Sequence, residues 1–279
     1  MKPDISRFLR IWQDKSEFTK ANIDTYLREV AKEYRKQVGK GTPAEMILIG
    51  GASVLINYGF RDMTTDIDAL IQAASGMKDA INTVGDRFDL PNGWLNADFK
   101  RTDSYTPKLV QFSVYYRTYA NVLTIRTISA EHLIAMKLRS GRQYKSDLSD
   151  VLGILAEHEK RGTPITMEQI RKAVVDLYGT WTSLPDSSRS FIENVMEKGR
   201  FDQLYGQIVQ GERETKELLI HFEQDYPGVT TDSNIDAIAG TLQKKSDKAS
   251  ILAQLRQNKS EMDEAAIKSK TRKRNDRER

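Results

Sequence analysis

Met46-Ile-Leu-Ile-Gly-Gly-Ala-Ser53 and, a short gap later, Asp66-Ile-Asp-Ala-Leu-Ile71 are the two segments from which the rest of the chain can be read. Met46–Ile49 is an apolar run that stops at Gly50-Gly51, the pattern of a buried strand entering a tight turn. Ala52–Tyr58 then reads as a short helix closed by Gly59. Asp66–Ile71 begins by alternating polar and apolar residues, as a strand does. Residues i and i+2 of a strand point to one side, so the carboxylates of Asp66 and Asp68 are expected to converge. Aspartate is disfavoured in strands, and two carboxylates held together repel unless a cation lies between them. Magnesium is the natural cation, since it is bound through one or two carboxylates together with substrate phosphates; manganese is the alternative. Gly50, Gly51 and Ser53 supply the complementary half. Glycine permits positive φ and close backbone approach, the N–H groups opening the next helix favour a phosphate, and the Ser53 hydroxyl adds a hydrogen bond. Each half alone has a plainer reading: a simple strand–helix turn, and a pair of exposed edge-strand acids.

Outward from these segments, residues 4–38 have helical spacing, carried by Ile5, Phe8, Leu9 and Trp12 and then by Ile23, Tyr26, Leu27, Val30 and Tyr34. Asn22 or Asp24 is the expected cap of the second helix, and Gly39, Gly41 and Pro43 break the pattern. Ser75–Val84 reads as helix. Leu109–Tyr115 and Val122–Ile128 alternate and are rich in β-branched and aromatic residues, so both read as strands. Ser129 is the expected N-cap of a helix through Leu133, Met136, Lys137 and Leu138. Ser146 is that of another through Val151, Leu152, Ile154 and Leu155. Beyond it, Thr166-x-x-Gln169 has the form of a capping box. Helical patterns then cover 167–178, 186–198, 200–209, 212–224, 233–244 and 247–268, with no strand signal.

Composition bounds the chemistry. The 279 residues are 39% hydrophobic and 29% charged, a soluble composition able to bury a core. Absence of cysteine excludes disulfides and thiolate zinc sites. The three histidines, His132, His158 and His221, are not at ligand spacing, so any metal must take oxygen ligands. The N-terminal residues are too charged for a signal peptide, and the apolar stretch Met46–Ile56 is too short to span a bilayer. A cytoplasmic protein without a membrane partner is therefore expected. Of the net charge of +4, residues 268–279 carry +5, with seven Lys/Arg and two acids, which leaves −1 for the remainder. Such a tail suits electrostatic contact with nucleic acid, and equally a solvated terminus.

Lys137 lies on the helix after the second alternating strand, and Asp147 and Asp150 share one face of the next helix's first turn. Taken alone, these acids are ordinary first-turn residues, and Arg139 and Arg142 are ordinary helix-end cations. Together with the glycine turn and the paired aspartates they complete a site: a phosphate cradle, metal ligands and cations for a triphosphate.

Gly50-Gly51-x-Ser53 with Asp66-x-Asp68 resembles the signature of the DNA polymerase β-like nucleotidyltransferase superfamily. The run Leu133-Ile-Ala-Met-Lys137 to Asp147-x-x-Asp150 is similar to the lysine/aspartate motif of AbiEii-like nucleotidyltransferases, toxins of type IV toxin–antitoxin and abortive-infection systems. Trp94-Leu95-Asn96 resembles an element of small members of that group. The likeness covers about residues 44–155. It implies an α+β fold, an α/β nucleotidyltransferase core with a mixed sheet plus a mostly α-helical C-terminal domain. The divisions are N-terminal helices at 1–40, the core at 41–160, the helical domain at 161–267 and a disordered basic tail at 268–279. It further implies that Asp66 and Asp68 bind Mg2+ (or Mn2+), and that Gly50, Gly51, Ser53, Lys137, Arg139 and Arg142 hold the nucleotide. Asp66, Asp68, Lys137 and Asp147 form the implied catalytic set, with Asp147 as base or metal-site partner supported by Asp150. Strand 109–115 lacks the third carboxylate of polymerase-like members, which puts that duty on Asp147. The implied reaction moves a nucleoside monophosphate from an NTP to an acceptor hydroxyl. RNA (the tRNA 3′ end) is the implied acceptor, in the setting of a toxin with a cognate antitoxin. A catalytically degenerate scaffold that binds nucleotide, RNA or a partner protein is the alternative. A plain helical interaction protein is a third reading, and it leaves Asp66 and Asp68 side by side without a cation.

Overall fold

Met46 and Leu48 face one side of the central sheet, Ile47 and Ile49 the other, and all four are fully buried. A strand covered on both faces must be apolar throughout, which is why Met46–Ile49 reads as an unbroken run. In the computed structural model, which describes residues 17–142, 145–231 and 234–245, this run lies in and just beyond β1 (Ala44–Leu48). The expected helix around Ile5–Trp12, the helix at 247–268 and the basic tail at 268–279 lie outside the described residues.

The described elements run α1 (Lys20–Val38), β1, α2 (Gly50–Asn57), β2 (Ile67–Gln72), α3 (Gly76–Arg87), β3 (Leu95–Asn96), β4 (Ser113–Tyr119), β5 (Leu123–Ile128), α4 (Ala130–Ser140), α5 (Asp147–Lys160), α6 (Met167–Tyr178), α7 (Asp186–Lys198) and α8 (Phe201–Asp225). The sheet order is β3-β2-β1-β5-β4. β1 is antiparallel to β2 and parallel to β5, β2 is parallel to β3, and β4 is antiparallel to β5, so the sheet is mixed. The fold is α+β, with a run of helices after the sheet. One face is covered by α1 and α3 through Ile23, Leu27, Val30, Met77, Ala80 and Val84. The other is covered by α4 and α5 through Leu133, Leu138, Val151 and Leu155, with α6 and α7 packed outside them. In β2, Ile67 and Ala69 enter the first core and Leu70 the second. Asp68 shares its face with Leu70, so it opens toward α4 and α5.

The chain divides into two compact units at Arg213/Glu214. The first holds the sheet and α1–α7. In the second, the Glu223 carboxylate accepts from the N–H groups of Gly228 and Thr230, and residues 235–245 are helical. No described helix is long and apolar enough to cross a membrane.

Local chemistry moved several expected boundaries. α1 begins at Lys20 under a capping box in which Thr19 is the cap and Asn22 its reciprocal partner, so Asn22 works from inside the helix. α2 starts at Gly50 and ends at Asn57 with Tyr58 as its C-cap, so Gly59 lies beyond it. The strand expected at 109–115 is displaced. Pro107, with Thr106 as cap, opens a 3₁₀ turn over Pro107–Phe112, and pairing with β5 begins only at Ser113. Helices expected at 200–209 and 212–224 are one helix, α8, because an interior glycine costs only about 1 kcal/mol and does not end a packed helix. The Thr166/Gln169 capping box is present.

Two helical glycines separate packing from propensity. A Cβ on Gly153 of α5 would fall 2.4 Å from the Phe60 ring, whereas one on Gly206 of α8 would meet nothing within 4 Å. Gly153→Ala is expected to destabilise by about 1–3 kcal/mol, and Gly206→Ala to stabilise by about 0.5–1 kcal/mol. Urea unfolding of the two variants checks this, and a neutral Gly153→Ala would refute the close α5–Phe60 contact.

Candidate active site

The turn after β1 fixes the first wall of the site. Gly50 adopts φ +56°, the left-handed conformation that glycine takes without penalty. A Cβ there would lie 3.8 Å from Oδ2 of Asp68, so the Asp68 carboxylate sits beside the first residue of α2. Gly51 is glycine for another reason. A Cβ at this position would fall 2.5 Å from Thr64 Oγ1 and 3.0 Å from an Arg61 guanidinium nitrogen. The chain between α2 and β2 therefore folds back onto the start of α2, which brings Asp66 and Asp68 to the glycine turn.

Asp66, just before β2, and Asp68 within it are both half-buried, with Ile67 between them facing the opposite core. Neither carboxylate takes a hydrogen bond or ion pair from a described residue. Burial, and then the negative charge of Asp66, push the Asp68 carboxyl up to about 7, against the pull of Lys145, Arg142 and Lys137. Here two acids repel each other and lack a paired cation.

Asp147 and Asp150 are in the opposite situation. Asp147 is 1% exposed and pairs with Lys137 Nζ at 2.9 Å and Arg142 Nε at 2.8 Å. Asp150 pairs with Lys137 Nζ at 2.8 Å, and both of its oxygens take hydrogen bonds from Arg61 Nη1 at 2.8 and 2.6 Å. The result is a buried chain of alternating sign: Arg61, Asp150, Lys137, Asp147, Arg142. Burial alone would raise the Asp147 carboxyl, but Arg142 and Lys137 outweigh it and hold that carboxyl far below the usual range. Lys137 is held above its usual value because the two aspartates outweigh its burial. In this arrangement Lys137 bridges the two aspartates, and Asp147 is shared between Lys137 and Arg142. Both residues expected at the site, Lys137 as phosphate contact and Asp147 as base or metal-site partner, are thus joined in one ion chain.

Other expected residues divide in the same way. Ser53 is fully buried, and its Oγ accepts from the Ile128 N–H at 3.4 Å, which ties α2 to β5. Arg139 points elsewhere: its guanidinium donates to the carbonyls of Asp103 and Ser183 and lies over the Tyr178 ring. Arg142 remains at the site. Lys145, given no role on sequence grounds, joins it. Burial and the neighbouring Arg142 bring Lys145 down to about 8, while Asp147, Asp66 and Asp68 oppose the shift. Its spacing two residues before Asp147 was the available signal. Among the described residues, no group of three or more His, Asp or Glu side chains is arranged to hold a metal ion. Asp66 and Asp68 offer two neighbouring carboxylates, with Lys145, Arg142 and Lys137 acting on Asp68 through their charge.

Residues 25–160, a little under half of the chain, match the family described as "Nucleotidyltransferase of unknown function (DUF6036)". The match spans most of α1 through α5 and supports a nucleotidyltransferase core; its description names no substrate, metal or toxin. No curated protein and no solved structure matches the chain.

The ion chain makes a signed prediction. A carboxyl depressed on folding adds stability that is present above its unfolded pKa, about 4, and lost as pH falls. Wild-type stability in urea should therefore drop between about pH 5 and pH 3, with a shallower drop in Asp147→Asn; equal slopes would refute it. Lys137→Met should cost about 3–5 kcal/mol by stranding two buried carboxylates.

Proposed function

We propose that this protein is a magnesium-dependent nucleotidyltransferase that moves a nucleoside monophosphate from an NTP to an acceptor hydroxyl. One observation carries the reading: Asp66 and Asp68 lie together, without a paired cation, beside the glycine turn that opens α2. The general nucleotidyltransferase match over residues 25–160 supports it. The donor set fits Mg2+, which needs only one or two carboxylates and completes its shell with water and phosphate oxygens. Asp66 and Asp68 would hold the ion, and when bound it supplies charge neutralisation on the phosphates.

The chain's own groups do the rest. The first N–H groups of α2, with the helix dipole behind them, face phosphate oxygens. Lys145 and Arg142 lie close enough to the acids to neutralise the pyrophosphate as it leaves. The acceptor hydroxyl loses its proton to water and its oxygen forms the new bond to the α-phosphorus, while the bond to the bridging oxygen of pyrophosphate breaks. Positioning and fixed charge are the protein's main contributions to such a transfer. The ion chain through Lys137 keeps those charges in place.

RNA is the acceptor we favour, and a toxin acting with a cognate antitoxin is the setting. The reasons are the resemblance to AbiEii-like enzymes and the basic residues 268–279. A catalytically degenerate binding protein is the second reading. It draws support from Asp147, whose carboxylate is engaged by both Lys137 and Arg142.

With Mg2+, mixed NTPs and total tRNA, wild-type protein should release pyrophosphate and label RNA. Asp66→Ala and Asp68→Ala should each lower the rate by at least about 100-fold. Equal rates in wild type and both variants would rule the site out, and no release by wild type, with NTP still bound, would favour the degenerate scaffold.

A further inference from the structure

α5 starts at a cap residue that makes no cap bond. Ser146 sends no side-chain hydrogen bond into the first turn, so the N–H groups there need another acceptor. They find it on α8. Oε1 of Glu212 accepts from the N–H groups of Leu148 and Ser149, each at 3.1 Å. Glu212 is buried, which pushes its carboxyl up to about 7 against the hydrogen bonds it takes from Ser149, and its accepting oxygen lies at the positive end of the α5 dipole. The turn it caps is the one that carries Asp147 and Asp150.

α8 reaches the other end of the ion chain as well. The Tyr205 hydroxyl donates to the Phe60 carbonyl at 3.2 Å, and the two rings meet edge to face with centroids 5.7 Å apart. Phe60 immediately precedes Arg61, which holds Asp150. One helix outside the residues matched by the family thus touches both segments whose side chains form the brace. A local Ser, Thr, Asp or Asn cap would satisfy α5 alone. A cap delivered from a distant helix ties the placement of the acids to that helix.

We propose that Glu212 is a positioning residue: by capping α5 from α8 it sets where Asp147 and Asp150 hold Lys137, Arg142 and Arg61 around the Asp66–Asp68 pair. Its kinetic consequence rests on the nucleotidyl-transfer reading; the cap itself does not.

The test uses the full-length protein with Glu212→Ala, Glu212→Gln and Glu212→Asp. Glutamine keeps an oxygen that can accept both N–H bonds, whereas the shorter aspartate loses reach and serves if the alanine variant does not fold. Two readouts are needed: amide hydrogen exchange over Leu148–Ser149, and pyrophosphate release with Mg2+ and NTP. In Glu212→Ala, exchange at those amides should quicken about tenfold and kcat fall about tenfold, roughly 1.4 kcal/mol, while KM for NTP stays within about twofold. Glu212→Asp should fall between alanine and wild type, and Glu212→Gln should recover most of both effects. Unchanged exchange, a KM effect without a kcat effect, or a glutamine variant as poor as alanine would overturn the proposal. A wild-type protein that releases no pyrophosphate overturns the transfer reading instead, and the exchange arm alone then decides Glu212.

Discussion

Lys137 lies buried between Asp147 and Asp150, and the placement of everything at the site follows from that ammonium. A charge this far from water is tolerable only when paired and hydrogen-bonded on all sides. Two carboxylates overcompensate one ammonium, and each passes its excess to a guanidinium, Asp147 to Arg142 and Asp150 to Arg61. The completed chain holds three cations and two anions. It joins three separate parts of the fold: the loop before β2, helix α4, and the start of α5 with the residues that lead into it. Removing any member leaves a buried partner unmatched, so these parts are held in register by charge as well as by the apolar core beneath them.

The surplus positive charge of that chain lies next to the one place in the cluster where negative charge is in excess. Four aspartates that look alike in sequence therefore fall into two kinds. Asp147 and Asp150 have every strong partner they need, while Asp66 and Asp68 have each other. Keeping the second pair together by folding alone is unfavourable. Gly51, whose missing side chain admits Thr64 and Arg61, and the strand register that fixes Asp68 across from Asn96 force it. Structures store such local conflict where a ligand resolves it.

The backbone logic of the site was legible because it depends on short-range rules. Strand alternation put Asp66 and Asp68 on one side, and the demand for a positive φ at the turn found Gly50. The layered fold followed from apolar runs and caps, such as the Thr166–Gln169 box. What escaped was set by contacts distant in sequence. Nothing local reveals that Lys137 bridges Asp147 and Asp150, or that Ser53 turns inward to Ile128. The alternation at 109–115 was real, but Pro107 diverts its first residues into a 3₁₀ turn, and only the pairing partner β5 fixes where the strand starts. The resemblance implies a nucleotide contact for Arg139, while its side chain donates to the carbonyls of Asp103 and Ser183.

The engagement of Asp147 bears on what kind of catalyst this arrangement can be. With two free carboxylates, the pair can hold a hard cation that keeps water and phosphate oxygens in its shell. Asp147, by contrast, is shared between Lys137 and Arg142. Under the proposed reaction, transfer then depends on alignment and on charge fixed in advance, the two contributions a buried ion chain is built to keep constant. Such a design ties rate to the rigidity of the brace more than to the basicity of any one side chain. It also makes a residue that only supports the brace from outside, as Glu212 on α8 does, as consequential for turnover as those that approach the nucleotide.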